Sequence, residues 1–291
     1  MTVVVLIVAL AGVSFLLLYV RGPGEGQVER ETEVWWIASD PHVGYNYIMS
    51  DNALKVGIED VNEYVEKIEG VKVDGAILLG DLIHQTSSYI GTFYRDMENL
   101  NVENWYYVLG NHDFNNPPYD ENLLPPVDMT LDVMGMKWIF ISCHTGDTGS
   151  SPVSEAMGGP LRMPENVREW FVNQVLTSDK PVFVFSHQAP TSWIAWNENL
   201  KKFAKGSELM GWFYGHIHAW SAAWFEDQVL AFSDCSLDWA PNYQSAFMFL
   251  EREGGTVNVT LRFRDDKNHT WIEIPFQGKM VENISFSVKV A

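Results

Sequence analysis

Five short polar motifs each follow directly on an apolar run, and together they carry seven residues able to bind a metal ion. Val34-Trp35-Trp36-Ile37-Ala38-Ser39 delivers Asp40-Pro41-His42, and Ala76-Ile77-Leu78-Leu79 delivers Gly80-Asp81. Trp105-Tyr106-Tyr107-Val108-Leu109 delivers Gly110-Asn111-His112-Asp113. Val182-Phe183-Val184-Phe185 delivers Ser186-His187, and Trp212-Phe213-Tyr214 delivers Gly215-His216-Ile217-His218. Runs of this length, rich in β-branched and aromatic residues, read as buried strands. In an open α/β sheet the loops beyond the carboxyl ends of the strands converge on one crevice. The pattern therefore restricts the chain to a layered α/β fold with a metal site, lined by oxygen and nitrogen, at the strand ends.

Asp40, His42, Asp81, Asn111, His187, His216 and His218 outnumber the four ligands of a tetrahedral zinc. Two divalent ions sharing a carboxylate are the economical reading, since imidazole suits zinc, iron or manganese and an amide oxygen adds a neutral ligand. Two cations roughly 3.5–4 Å apart lower the pKa of a shared water and clamp the attacking and leaving oxygens of a displacement at phosphorus. The expected reaction is phosphoester hydrolysis. A single histidine such as His187 is ordinarily a satisfied polar residue, so the reading rests on the ordered set. His216 and His218, two apart in a strand, would point to one side and share a ligand role.

Taken in order, D-x-H, GD, GNH followed by an acid, a lone H and GHxH resemble the calcineurin-like metallophosphoesterase superfamily, with no motif position substituted between Asp40 and His218. The resemblance implies an α/β fold in which a two-sheet β-sandwich is flanked by helices, with the metals at the sheet edge. It implies that Asp40, His42 and His218 hold one metal, that Asn111, His187 and His216 hold the other, and that Asp81 bridges them. The cofactors would be two divalent ions, Mn, Fe or Zn. His112 would face the phosphate and protonate the leaving oxygen or stabilise the transition state, with Asp113 orienting its ring. Gly80, Gly110 and Gly215 would let the backbone turn sharply beneath the metals. His84 stands three residues after Asp81, where the purple acid phosphatase branch is expected to carry a tyrosine ligand, which argues against that branch. His84 is left as a residue that either touches substrate or is structural; His144 and His269 read as structural or solvated.

Thr2 to Val20 holds no charged residue, and about 20 apolar residues span a bilayer as a helix. An uncleaved N-terminal transmembrane helix is the favoured reading and a cleaved secretory signal the competing one: no Lys or Arg precedes the run, and Ala9 and Ala11 lie too early for cleavage. Residues 1–20 are then an anchor or signal, 21–33 a polar tether, 34–264 the metallophosphoesterase domain and 265–291 a C-terminal β extension of it. Arg21 favours a cytoplasmic body. The sequons at Asn258, Asn268 and Asn283 favour an extracytoplasmic one, which is the expectation adopted here. Cys143 and Cys235 fit either a disulfide or two buried thiols.

With 291 residues and 46% apolar content the chain can bury a full core. A net charge of −19 argues against nucleic acid as substrate, because gripping a phosphate backbone relies on Lys and Arg. A small phosphoester is expected instead, monoester or diester. The alternatives are a nuclease, suggested by Gly80-Asp81-Leu82-Ile83-His84, and a non-catalytic metal-binding interaction module. Helical spacing of Leu54, Ile58, Val61, Val65 and Ile68 predicts a helix over 53–68, and Pro164 opens a second through Leu176. Ser245–Arg252 and Thr256–Arg264 read as a hairpin, with further strands at Thr270–Phe276 and Ile284–Val290. Trp193, Trp196, Trp220, Trp224 and Trp239 are either pocket walls or core, and Asn115–Tyr119 is expected to form a rim loop.

Overall fold

The runs that deliver the motifs are apolar on both faces because both faces are covered. In β1 (Thr32–Ala38), Val34, Trp36 and Ala38 pack with residues of helices, while Trp35 and Ile37 pack against a second sheet. The computed structural model describes residues 32–44, 53–63, 72–84, 87–114, 124–143, 164–190, 207–218, 221–225, 229–233, 237, 244–265, 270–276, 279–281 and 283–290. The apolar segment Thr2–Val20, residues 21–31 of its tether, His144, His269, Asn268, Cys235, Asn115–Tyr119, Trp193, Trp196, Trp220 and Trp239 lie outside them. Among the described residues no helix is long and apolar enough to cross a membrane.

After β1 come α1 (Ala53–Glu63), β2 (Gly75–Leu79), α2 (Ile90–Met97), β3 (Asn104–Val108), β4 (Asp128–Val133), β5 (Met136–Ile141) and α3 (Glu165–Leu176). There follow β6 (Val182–Ser186), β7 (Leu209–Tyr214), β8 (Ser221–Phe225), β9 (Val229–Ser233), β10 (Gln244–Glu253), β11 (Thr256–Asp265), β12 (Thr270–Ile272), β13 (Ile274–Phe276), β14 (Lys279–Val281) and β15 (Asn283–Lys289). The first sheet has the order β12-β11-β10-β1-β2-β3, with β15 also on β11. The second has the order β4-β5-β6-β7-β9-β8. In the first, β1, β2 and β3 are mutually parallel; in the second, β5, β6, β7 and β9 are. The two parallel blocks carry all five motifs.

The core is layered. Trp35, Ile77, Leu79, Trp138, Phe140, Phe185, Phe213 and Leu250 fill the space between the sheets. Trp36, Leu78, Leu54, Ile58 and Phe93 join the first sheet to α1 and α2, and Ile139, Val184, Trp212, Phe171 and Val175 join the second to α3. Phe171 is fully buried at that last seam, so truncating it to Ala would cost about 3–5 kcal/mol.

Several sequence expectations change in detail. β1 begins at Thr32, inside the expected tether, because Thr32 and Glu33 pair with Glu253 and Arg252 of β10. The expected strand over Thr270–Phe276 is two strands broken at Glu273: β12 pairs with β11, whereas β13 pairs with β14 in a separate two-stranded sheet. The final strand pairs with β11 along seven residues, Thr256–Arg262, and so extends the first sheet. α1 is described to Glu63, and the rest of the expected helix lies outside the described residues. The short helix α2 escaped the sequence pattern because its buried residues Ile90, Phe93, Asp96 and Met97 fit only two turns. Cys143 is buried in the layer beneath α1 and α2.

Candidate metal centre

The five motifs meet at the carboxyl ends of β1, β2, β3, β6 and β7. The chain does not fan out there but stays tied: Asp40 N–H donates to the Gly80 carbonyl, His42 N–H to Asp81 and Gly215 N–H to His187, at 3.0, 3.0 and 3.1 Å. Asp40, His42, Asp81, His216 and His218 all have positive φ, between 42° and 68°. Such a conformation costs an L-residue about 1 kcal/mol or more, though Asp and His tolerate it better than most. His216 and His218 therefore do not lie in a strand as expected. β7 ends at Tyr214, and the two rings go to different groups of side chains.

Three groups form among the described residues, and within each the candidate ligand atoms lie within 4.8 Å of one another: Asp40, His42, Asp81 and His218 are the first, Asp81, His187 and His216 the second, and His42, His84 and His112, three rings without a carboxylate, the third. In the first, Oδ1 of Asp40 is 3.1 Å from Nε2 of His218 and 3.8 Å from Nε2 of His42. Asp81 belongs to the first and the second, its Oδ2 standing 3.8 Å from Nε2 of His42 and 3.2 Å from Nε2 of His187. Its Oδ1 accepts the His112 N–H at 2.7 Å, which fixes the carboxylate plane. Asn111 joins the second group, with Oδ1 3.0 Å from Nε2 of His187.

The donor atoms fit a cation. Nδ1 of His187 lies 2.8 Å from the Leu79 carbonyl, which only accepts, so that nitrogen carries a proton and the neutral ring has its lone pair at Nε2. That lone pair faces a carboxylate oxygen and an amide oxygen. Three electron-rich atoms, Nε2 of His187, Oδ2 of Asp81 and Oδ1 of Asn111, thus converge. Burial pushes the His187 imidazole down, but the charges of Asp81 and Asp40 outweigh it and hold the ring up to about 9. Burial likewise works to raise Asp81, yet the His187 charge and hydrogen bond hold its carboxyl far below the usual range. Burial brings His42 to about 4, and burial together with His187 brings His216 to about 4, so both rings offer neutral nitrogens at pH 7. Neutral imidazoles, two carboxylates and an amide oxygen are a donor set for zinc, iron or manganese.

The sequence model of the calcineurin-like phosphoesterases matches residues 35–220. The chain belongs to the calcineurin-like phosphoesterase family. Its structure is similar to that of a dimetal phosphatase from Danio rerio, at 13% sequence identity over 87% of this chain and 98% of that one, with a TM-score of 0.61. It is also similar to a purple acid phosphatase from yellow lupin (Lupinus luteus) seeds, at 11% identity over 89% of this chain and 54% of that one, with a TM-score of 0.56. At these identities the likeness is one of fold. Among curated protein sequences none matches.

In this member of the family, two expected roles change. Asp113 does not orient the His112 ring: its Oδ1 accepts the Ile83 N–H at 3.0 Å and its Oδ2 the Gly110 N–H at 2.7 Å. His112 and Asp113 are consecutive residues of a 3-10 turn, which sends neighbours about 120° apart, so one cannot reach the other's ring. Asp113 instead staples the second motif to the third. Burial, then the charge of Asp81, pushes its carboxyl up to about 8. Of Gly80, Gly110 and Gly215, only Gly80, at φ 88°, uses a backbone that side chains avoid. Gly110 and Gly215 are needed for space, since a Cβ would collide with Asp81 at the one and with Ser39 at the other.

Nδ1 of His112 is buried and, among the described residues, has no hydrogen-bond partner. The ring sits edge-on to His42, centroids 4.9 Å apart, and stacks on His84 at 5.1 Å. His84 thus packs at the centre, against the rings of both His42 and His112. Sequence reasoning missed Gln188, whose Nε2 lies 3.4 Å from Oδ1 of Asn111 while its residue is only 4% exposed. The available signal was its place directly after His187.

Proposed function

We propose that the chain is a dinuclear-metal phosphoesterase that hydrolyses small phosphomonoesters or phosphodiesters. The observation that carries this reading is Oδ2 of Asp81, which faces both ligand groups at once. Asp40, His42 and His218 would hold one ion, Asn111, His187 and His216 the other, and Asp81 both. When bound, two divalent ions supply an acidified water and neutralise charge on phosphoryl oxygens. Asp81, pinned through Oδ1 by the His112 N–H, keeps the two halves of the site in register. His112, whose Nδ1 has no hydrogen-bond partner among the described residues, is placed to give a proton to the leaving oxygen. The charge of −19 supports a small substrate rather than a nucleic acid.

The uncharged run Thr2–Val20 supports a single-pass membrane anchor, and the sequons support a catalytic domain on the extracytoplasmic side. The test of the catalytic reading combines elemental analysis with hydrolysis of bis-p-nitrophenyl and p-nitrophenyl phosphate in the presence of manganese. Two metal equivalents and turnover are expected, both lost in Asp81→Ala. One tightly bound metal with full activity in that variant would overturn the reading.

A further inference from the structure

Ser39 is the last residue of the run that delivers Asp40, and it is 0% exposed. A hydroxyl so placed must bond within the protein. It donates to Oδ2 of Asp40. The same oxygen accepts the backbone N–H of His216 at 3.0 Å. The other oxygen, Oδ1, is the one that faces His218 at 3.1 Å and His42 at 3.8 Å. The two oxygens of one carboxylate are therefore divided between tasks, one held by the protein and one turned to the ligand group. Ser39 is itself fixed, because its carbonyl accepts the Leu237 N–H at 3.0 Å. Gly215 packs on the hydroxyl, and a Cβ there would meet both Ser39 and, at 2.6 Å, Oδ2 of Asp40. The first and last motifs, far apart in sequence, are thus fitted to each other through this serine.

We propose that Ser39 is a positioning residue of the metal centre: with the His216 N–H it occupies Oδ2, so that Asp40 is presented to an ion through Oδ1 alone. The proposal rests on the dinuclear reading above. Carboxylates bind ions through one oxygen or two, and a freely turning Asp40 would have both to offer. Held through Oδ2, it takes one coordination position and leaves another open, as a hydrolytic site requires. The restraint acts on the pocket of Asp40, His42 and His218 and not on that of Asn111, His187 and His216, since the hydroxyl is spent on Asp40.

The test is calorimetric titration of the metal-free chain with Mn2+, comparing wild type with Ser39→Ala, Ser39→Gly and Ser39→Thr. The two variants without a hydroxyl should keep two equivalents but bind one of them about 10–100-fold more weakly, the usual cost of losing an outer partner of a ligand. Ser39→Thr, which keeps the hydroxyl, should restore that affinity. Ser142→Ala is the control, because Ser142 is equally buried but bonds the backbone of Leu109 and Val127; it should lower the melting temperature and leave both affinities unchanged. Thermal melting of each metal-free variant shows whether it is folded, and Ser39→Gly stands in should Ser39→Ala not be. Wild-type affinity at both sites in the folded hydroxyl-free variants, or equal weakening of both, would overturn the proposal. Fewer than two equivalents in the wild type would instead overturn the dinuclear reading.

Discussion

Nδ1 of His84 lies 3.3 Å from Nδ1 of His42, so one ring donates to the other. His42 turns Nε2 toward the carboxylates of Asp40 and Asp81. An ion bound there leaves the proton on Nδ1 and makes His84 the acceptor, the outer partner that sets the ring's tautomer and basicity. His84→Ala should therefore speed metal release to a chelator by about 10-fold or more. His84→Gln, which keeps an acceptor, should recover part of the loss. An unchanged release rate in the alanine variant would show the contact to be idle.

Loading the centre should release protons. Burial opposes protonation of His187 and His218, but Asp81 and Asp40 raise both above the ordinary histidine value, His187 to about 9. Both rings must be neutral to bind an ion. His42 and His216, at about 4, have no proton to give at pH 7. Apparent affinity should rise with pH from 7 toward about 9 and level off once His187 is neutral. Calorimetry in two buffers of different ionisation enthalpy reads the proton count at pH 7. Identical heats in both would contradict the expectation.

His112→Ala should keep two metals and lose rate selectively. A proton given to the leaving oxygen is worth typically about 10²–10⁴-fold. Nitrophenolate departs without one and an alkoxide does not, so alkyl esters should suffer far more than nitrophenyl esters. Equal losses would leave His112 no role in proton transfer, and loss of a metal would make it a ligand.

Asp113→Ala should behave differently from His112→Ala. It strips partners from the buried N–H groups of Gly110 and Ile83, each costing about 1–3 kcal/mol. The melting temperature should drop, while the preference among leaving groups stays that of the wild type. A shift in that preference without loss of stability would return Asp113 to service of the His112 ring.

Removal of residues 1–31 should leave a soluble, active chain, because β1 begins at Thr32. Cutting two residues further on should be worse, since Thr32 and Glu33 are paired with β10. Full-length chain should sediment with membranes, and protease added to intact cells should remove the catalytic domain. Recovery in the cytosol would refute the anchor, and protection from protease the orientation.

The meeting of the five motifs at the strand ends was legible in the sequence because each motif needs both a delivering strand and a particular side chain, and both leave a pattern. What was not legible was backbone. Nothing in His216-Ile217-His218 announces that both histidines have positive φ, and so they read as a strand sharing one face. Asp113 was misread for a related reason: nearness in sequence suggested contact with His112, whereas the turn sends its carboxyl to Ile83, thirty residues away. Ser39 and Gln188 bond to ligands from inside the protein, where a serine or glutamine looks like any other. The break at Glu273 is set by which sheet each half can reach, a matter of tertiary structure.

The candidate ligands come from both halves of the sandwich. Asp40, His42, Asp81 and Asn111 follow strands of the first sheet, while His187, His216 and His218 follow strands of the second. An ion held between them would be a rivet through two plates. Among the described residues, neither group that contains Asp81 is completed by one sheet alone, so the shared carboxylate meets its full set of candidate partners only when both sheets are in place. Occupancy then serves as a gauge of assembly, and a chelator should loosen the seam between the plates before it disturbs either plate.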